Sequence, residues 1–438
     1  MTPSAGVAPE PGEPAIVSAD GIRIVRNPRA SGSAAPGPAA RNTLADPHGP
    51  TLTDAGFAAA EREVRSWPGY EPTPLHALPG LAARLGLGGL YLKDESRRFS
   101  LKSFKVLGGA YAVFRVIQRA IEAAGESPVT SAGLVAGRWR VAAAGLTVTC
   151  ATDGNHGRAV AWGARLFGCR CVIFVHQGVS EGRCAAIARH GAEVVRVAGN
   201  YDDSVRHAAS EASRHGWTVV SDTAWPGYRE IPIDVMHGYG VMAREIVAQM
   251  PEPPTHVFVQ AGVGALAAAV FEAFRLEWRD RRPAPVVVEP AAADCFLRSA
   301  LAGRPVVVTG DLDTVMAGLS CGEVSPLAWP IVSAQAAAFV AVDDRFALEG
   351  MRVLATPVAG DPPIVAGETG AAGLAALLAA RGLVGPEDGG AVADDGNPVW
   401  RALGLDARSR VLLIGSEGDT DPTIYRQVVG RDAAEVAA

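Results

Sequence analysis

Two spacings of apolar residues alternate along this chain. Short, largely apolar runs occur at residues 90–92, 171–175, 193–197, 218–220, 256–259, 286–288 and 410–414, a length that suits strands. Between most of them lie longer stretches, such as 157–167 and 180–190, in which apolar positions follow a helical period. A strand that is apolar at every position has two faces to bury, so it needs cover on both sides. Alternation of such strands with amphipathic helices predicts mostly parallel sheets sandwiched by helices, an α/β fold. Thr53-Asp54 suits the start of a helix over 58–66, and Pro68-Gly69 its end. Residues 1–50, rich in Pro, Ala, Gly and Ser, show no sustained period and read as a disordered tail, within which residues 23–25 suit a short docked strand. Residues 127–144 read as a surface insertion, and no tandem repeat is visible.

Composition narrows the class. The chain has 438 residues, 48% hydrophobic and 20% charged, enough for two core-bearing units plus a tail. Its net charge of −6 comes from interspersed acids and bases, which predicts neither a nucleic-acid surface nor a membrane-binding face. The most apolar stretch, 257–271, contains Gln260 and is too short to span a bilayer. The first residues lack the basic start and apolar run of a secretory signal. Six cysteines in so long a chain make no disulfide framework, and Cys169 and Cys171 have the wrong spacing for a zinc or thioredoxin motif. A Cys295–Cys321 pairing is left open. A cytoplasmic protein is the expectation.

Four segments carry candidate chemistry. In the first, Lys105 follows Ser103-Phe104 and opens a small-residue helix. A lysine at the edge of a core can lose part of its hydration, which lowers its pKa and makes the amine a nucleophile toward carbonyls. Its bland reading is a solvated lysine at a helix start. In the second, Thr152-Asp153-Gly154-Asn155-His156-Gly157 stands at a helix start and exposes backbone N–H groups suited to a carboxylate. Asp153 offers a base and Asn155 a donor, or else Asp153-Gly154-Asn155 is a capping turn. The third, Gln260-Ala261-Gly262-Val263-Gly264-Ala265, follows a strand and opens a helix, as a phosphate cradle does. It lacks the Lys-Ser/Thr of a P-loop. Because it fits Gly-x-Gly-x-x-Ala and the next strand ends at Glu289, a dinucleotide site stays open, as does simple close packing. In the fourth, Ser416 and Thr420 lie after the last strand, where α/β ligands bind and where plain turns also occur. Asp222 follows another strand and reads by default as a turn acid. Glu368 reads by default as a helix cap.

The order of these segments resembles fold type II of the pyridoxal-phosphate enzymes, the tryptophan synthase β and threonine dehydratase group. The strings Lys93-Asp94-Glu95-Ser96, Phe104-Lys105-x-Leu107-Gly108-Gly109, Thr152 to Arg158 and Asp222-Thr223-Ala224-Trp225 resemble the diaminopropionate ammonia-lyase family. So do Gln260 to Ala265, Val288-Glu289-Pro290, Met316-Ala317-Gly318-Leu319 and Glu417-Gly418-Asp419-Thr420-Asp421. The resemblance implies two α/β domains with pyridoxal 5'-phosphate in the cleft between them. Residues 51–106 and 222–438 would form the larger, cofactor-binding domain and 107–221 the smaller. It implies elimination from 2,3-diaminopropionate, D or L, to pyruvate and ammonia by way of an aminoacrylate. Lys105 would hold the cofactor and take the α-proton of the L isomer. Asp153 would take that of the D isomer, with Asp222 as the second acid, and one of these close carboxylates would be uncharged part of the time. Asn155, Gly262, Val263, Gly264, Ala265 and Ser416 would contact the cofactor, and Ser103, Thr152, Asp153 and His156 the substrate. A homodimer is a further implication.

The chain departs from the family at one point. Ile414-Gly415-Ser416-Glu417-Gly418 stands where the family usually reads Ile-Ser-Thr-Glu-Gly, which puts the residue facing the pyridine nitrogen in question. A serine or threonine dehydratase or a β-replacement synthase of the same fold is the nearest rival. A silent amino-acid-binding protein and a dinucleotide oxidoreductase are more distant ones.

Overall fold

The computed structural model describes residues 16–27, 29, 51–152, 154–358, 360–383 and 397–438. Within them the strands are β1 (Ile16–Ala19), β2 (Ile22–Arg26), β3 (Leu75–Ala77), β4 (Gly89–Asp94), β5 (Thr147–Ala151), β6 (Arg170–His176), β7 (Glu193–Val197), β8 (Thr218–Val219), β9 (His256–Gln260), β10 (Ala284–Pro290), β11 (Ala338–Val342) and β12 (Arg410–Gly415). They form an eight-stranded sheet of order β1-β2-β11-β10-β9-β12-β4-β3 and a four-stranded sheet of order β7-β6-β5-β8. The smaller sheet is parallel throughout. The larger is parallel from β11 to β4, with β2 antiparallel at one side and β3 at the other.

Strand burial accounts for the parallel core. Every residue of β9 and β11 is buried. Along β12, Leu412 and Ile414 pack into one apolar cluster with Val257 and Val259 of β9, whereas Val411 and Leu413 enter a second cluster on the opposite face. Each such side chain contributes roughly 1.5–3 kcal/mol on leaving water. Helices Lys105–Ala123 and Glu230–Gln249 cover the first face at close range because glycines permit it. A methyl group on Gly108 would lie 2.6 Å from the Val235 carbonyl oxygen, and one on Gly238 would lie 2.3 Å from that of Leu107.

Thr53 caps helix Asp54–Arg65 by accepting from the Gly56 amide at 3.0 Å, as its position suggested. Part of the expected tail is ordered sheet. Ile22, Ile24 and Val25 are buried, and β2 pairs with β11 while β1 pairs with β2. The remainder of residues 1–50, apart from Asn27 and Arg29, lies outside the described residues. The 127–144 segment carries two short helices, Ser131–Val135 and Arg140–Ala144. No helix among the described residues is long and apolar enough to cross a membrane.

Candidate active site

Lys105 is the first residue of its helix, and its ammonium pairs with the Asp222 carboxylate, 117 residues away in sequence. Asp222 comes just after β8, so the smaller sheet delivers the acid and the Lys105 helix delivers the base. Burial works against the charge on Lys105, but the Asp222 carboxylate and the neighbouring Tyr239 outweigh it. The ammonium is held above the ordinary lysine range. This reverses the expectation of a lysine whose pKa is lowered by lost hydration. Burial likewise opposes charge on Asp222, yet Lys105 and then His156 keep its carboxyl well below the usual range. Asp222 is therefore the ionised member of the expected pair of carboxylates. Asp153 lies outside the described residues.

His156, in the first turn of helix Asn155–Phe167, completes this cluster. Its Nε2 lies 2.8 Å from the Val220 carbonyl, which can only accept, so Nε2 carries the proton. Nδ1 is then bare and sits 4.0 Å from Asp222. Burial pushes the imidazole pKa down, and the ring is neutral. The Asp222 turn is itself pinned, because the Tyr228 hydroxyl donates to the Val219 carbonyl and accepts from the Ser221 amide, both at 2.9 Å.

The third segment has the backbone geometry of an anion cradle. Gly264 has φ +95°, and a methyl there would lie 2.3 Å from Phe296, so only glycine fits. The amides of Gly262, Val263 and Gly264 meet no acceptor among the described residues, and they precede helix Ala265–Trp278 with its partly positive N-terminus. The dinucleotide reading fails at Glu289. That carboxylate is fully buried and accepts from the amides of Phe296 and Leu297 at 2.7 and 2.9 Å, so it is spent on capping a helix. Burial raises its pKa to about 8.

The fourth segment meets the second. Asn155 donates to buried Glu417, and Arg158 donates to the Leu101 carbonyl at 2.9 Å, which ties the helix of the smaller sheet to loops of the larger. Burial raises the Glu417 pKa. Ser103 bridges to Glu417, and the Phe104 amide donates to the Ser416 carbonyl at 3.0 Å. Thr152 is buried, and its hydroxyl accepts from the Gly154 and Gly157 amides, so it shapes its own loop. Glu368 caps no helix, since the next one begins at Ala372. It is buried beside Glu417, and burial first and Glu417 second lift its pKa to about 7.

The sequence reading missed Tyr239 and passed over Gln260. Tyr239 lies in the middle of a buried helix, with its ring centroid 5.9 Å from the Lys105 ammonium, and no local signal marks it. Gln260 ends β9, and its amide nitrogen reaches Ser416 Oγ at 2.7 Å. A polar residue at the end of an otherwise apolar strand was the available clue. Beneath the site, Lys93, Glu95, Arg98 and Glu245 form a buried ionic network, with Lys93 and Arg98 each 2.7 Å from Glu245. The network anchors the turn that leads to Lys105, in which Phe99, Ser100 and Lys102 all have positive φ.

An amine in a partly buried cleft, unpaired amides at a helix N-terminus and a buried hydroxyl at a strand end fit the aldehyde, phosphate and ring of pyridoxal phosphate. None of the six cysteines forms a disulfide, and Cys295 and Cys321 are not joined. Comparison with known proteins gives the same answer as the donor set. A diaminopropionate ammonia-lyase of Salmonella typhimurium is 41% identical over 84% of this chain and 90% of its own length. The crystal structure of a holo diaminopropionate ammonia lyase from Escherichia coli superposes with a TM-score of 0.80 at 38% identity, covering 93% of this chain and 96% of that one. The Escherichia coli enzyme in complex with D-serine gives 0.79 at 36% identity, covering 96% and 99%. Residues 66–392 match the family of pyridoxal-phosphate dependent enzymes. The chain belongs to that family and, within it, to the diaminopropionate ammonia-lyases.

Proposed function

We propose that this protein is a pyridoxal-phosphate-dependent carbon–nitrogen lyase that converts 2,3-diaminopropionate to pyruvate and ammonia. The observation that carries the reading is the 41% identity to a diaminopropionate ammonia-lyase across 84% of the chain and 90% of that protein. When bound, pyridoxal phosphate supplies an electron sink that makes the α-proton of an amino acid removable.

The chain's own groups would do the rest. Lys105 would hold the cofactor and would take the α-proton of the L isomer. Asp222 keeps a negative charge beside Lys105 and steadies its ammonium, so the amine must shed its proton before it can act as a nucleophile. His156 faces Asp222 with its bare nitrogen. Asp153 is the base for the D isomer and the partner of the β-ammonium. The Gly262–Val263–Gly264–Ala265 amides receive the phosphate, Ser416 the ring nitrogen and Asn155 the ring hydroxyl. Ser103 and Thr152, with their loop amides, receive the substrate carboxylate.

We assign residues 51–106 and 222–438 to the cofactor-binding domain and 107–221 to the smaller one; β3, β4 and β9 to β12 in one sheet and β5 to β8 in the other support the division, with β1 and β2 as additions to the larger sheet from outside these ranges. Six cysteines without a disulfide support a reducing compartment, the cytoplasm. A homodimer is proposed from family resemblance, and light scattering on the purified protein checks it. The test of function is pyruvate release with pyridoxal phosphate and D-2,3-diaminopropionate, L-2,3-diaminopropionate, serine or threonine offered separately. Turnover is expected to favour the diamino acids. A preference for serine or threonine would make the protein a dehydratase instead.

A further inference from the structure

Gln260 is buried at the carboxyl end of β9, and three oxygens surround its side-chain nitrogen. They are the Thr369 carbonyl at 2.9 Å, the Ile414 carbonyl at 2.9 Å and Ser416 Oγ at 2.7 Å. This arrangement fixes which end of the amide faces Ser416. Two of the three neighbours are carbonyls, which only accept, so the nitrogen end of the amide faces all three oxygens and its two hydrogens are shared among them. Turning the amide over would set its oxygen against two carbonyl oxygens.

The hydroxyl is constrained in turn. An amide nitrogen has no lone pair to offer, so the Ser416 proton cannot point at Gln260. Ser416 Oγ accepts there, and no other hydrogen bond of this hydroxyl is formed among the described residues. Ser416 is itself buried, and its backbone oxygen is occupied by the Phe104 amide, one residue before Lys105.

We infer that Gln260 sets the polarity of Ser416, holding its hydroxyl as a donor toward the cofactor ring so that the ring nitrogen is received as an unprotonated acceptor. The inference rests on the reading of this site as a pyridoxal-phosphate site with Ser416 facing the ring. Gln260 acts through Ser416 and is a positioning residue. The departure of this chain from its family at 415–416 leaves Ser416 as the hydroxyl under this control.

The experiment is a double-mutant cycle on cofactor affinity, read by absorbance titration of the full-length apoenzyme with pyridoxal phosphate. Gln260→Glu keeps the shape but presents an acceptor to Ser416, drawing its proton away from the ring. Gln260→Glu and Ser416→Ala are each expected to weaken binding about tenfold, the worth of one hydrogen bond. The double variant is expected to be no weaker than either single one, because without the hydroxyl there is no proton to redirect. A merely structural role for Gln260 would instead make the losses multiply. Multiplying losses, an unchanged Gln260→Glu, or an unchanged Ser416→Ala would each overturn the inference while leaving the cofactor assignment standing. A wild-type chain that takes up no pyridoxal phosphate would overturn the functional reading itself. Should Gln260→Glu fail to fold, the wild-type holoenzyme loaded with ¹⁵N-labelled cofactor decides the matter. A nitrogen shift typical of a hydrogen-bonded, unprotonated pyridine is expected, and a pyridinium shift would overturn the inference.

Discussion

Lys105 and Asp222 hold each other charged, and this has a cost for the first chemical event at the site. An ammonium cannot attack the cofactor's aldehyde, so cofactor uptake waits for the proton to leave. Asp222→Asn removes the charge that raises the lysine pKa and leaves burial, which lowers it. The pH profile of pyridoxal phosphate uptake should therefore move to lower pH in Asp222→Asn, even as turnover falls. Stopped-flow absorbance across pH checks this, and an unmoved profile would remove Asp222 from that role. Glu368 makes a second prediction. Its pKa of about 7 in the folded protein exceeds the ordinary glutamate value of 4.5, so the folded state binds more protons between those pH values. Stability from this group is full below pH 4.5 and is lost as pH rises through 7, at a slope of at most roughly 1.4 kcal/mol per pH unit. Glu368→Gln should flatten the decline of melting temperature between pH 5 and 8. Lys105, Asp222 and Asn155 were legible as candidates because each stands where a strand or loop meets a helix. Their partners were not, because the Lys105–Asp222 and Asn155–Glu417 contacts join residues more than a hundred positions apart.

Elements follow the same division between local and distant causes. Of the strands that apolar runs marked, β6, β9 and β12 are buried nearly throughout, whereas β7 and β8, at the two edges of the smaller sheet, are only partly buried. β5 escaped notice because Thr147 and Thr149 look polar in sequence, whereas Thr149 is fully buried in the sheet. β11 escaped because the alanines before it continue a helical pattern without a break. The cradle between β9 and helix Ala265–Trp278 was legible from its glycines, and the fold explains why one of them is required. Gly264→Ala should cost about 1–2 kcal/mol from the left-handed backbone alone, with the Phe296 clash in addition. Calorimetry of the apoenzyme would read this as a lower melting temperature, and cofactor titration as weaker binding. A variant as stable as wild type would show that the loop relaxes.

At the scale of the whole molecule, two parallel sheets meet where their strand ends and helix starts converge, a pattern that the alternation of runs and helices anticipated. The order of strands within the larger sheet was not legible, since it depends on pairing between distant segments. The β1–β2 hairpin shields the β11 edge of that sheet. Deleting residues 16–26 should leave an unpaired strand beside exposed apolar surface, and the expected result is association between molecules. Size-exclusion chromatography with light scattering would detect it, and an unchanged elution profile would mean that another segment covers the edge.

The position of β12 has a consequence for biosynthesis. It is the last strand in the chain, yet it lies inside the larger sheet between β9 and β4. The smaller sheet is complete once residue 219 has left the ribosome, but the larger one has a gap at its centre until residue 415 emerges. During translation β4 and β9 wait unpaired on their facing edges, and the turn before Lys105 lacks the Ser416 carbonyl that later receives the Phe104 amide. The larger sheet and the site it carries can thus close only after residues 410–416 have emerged.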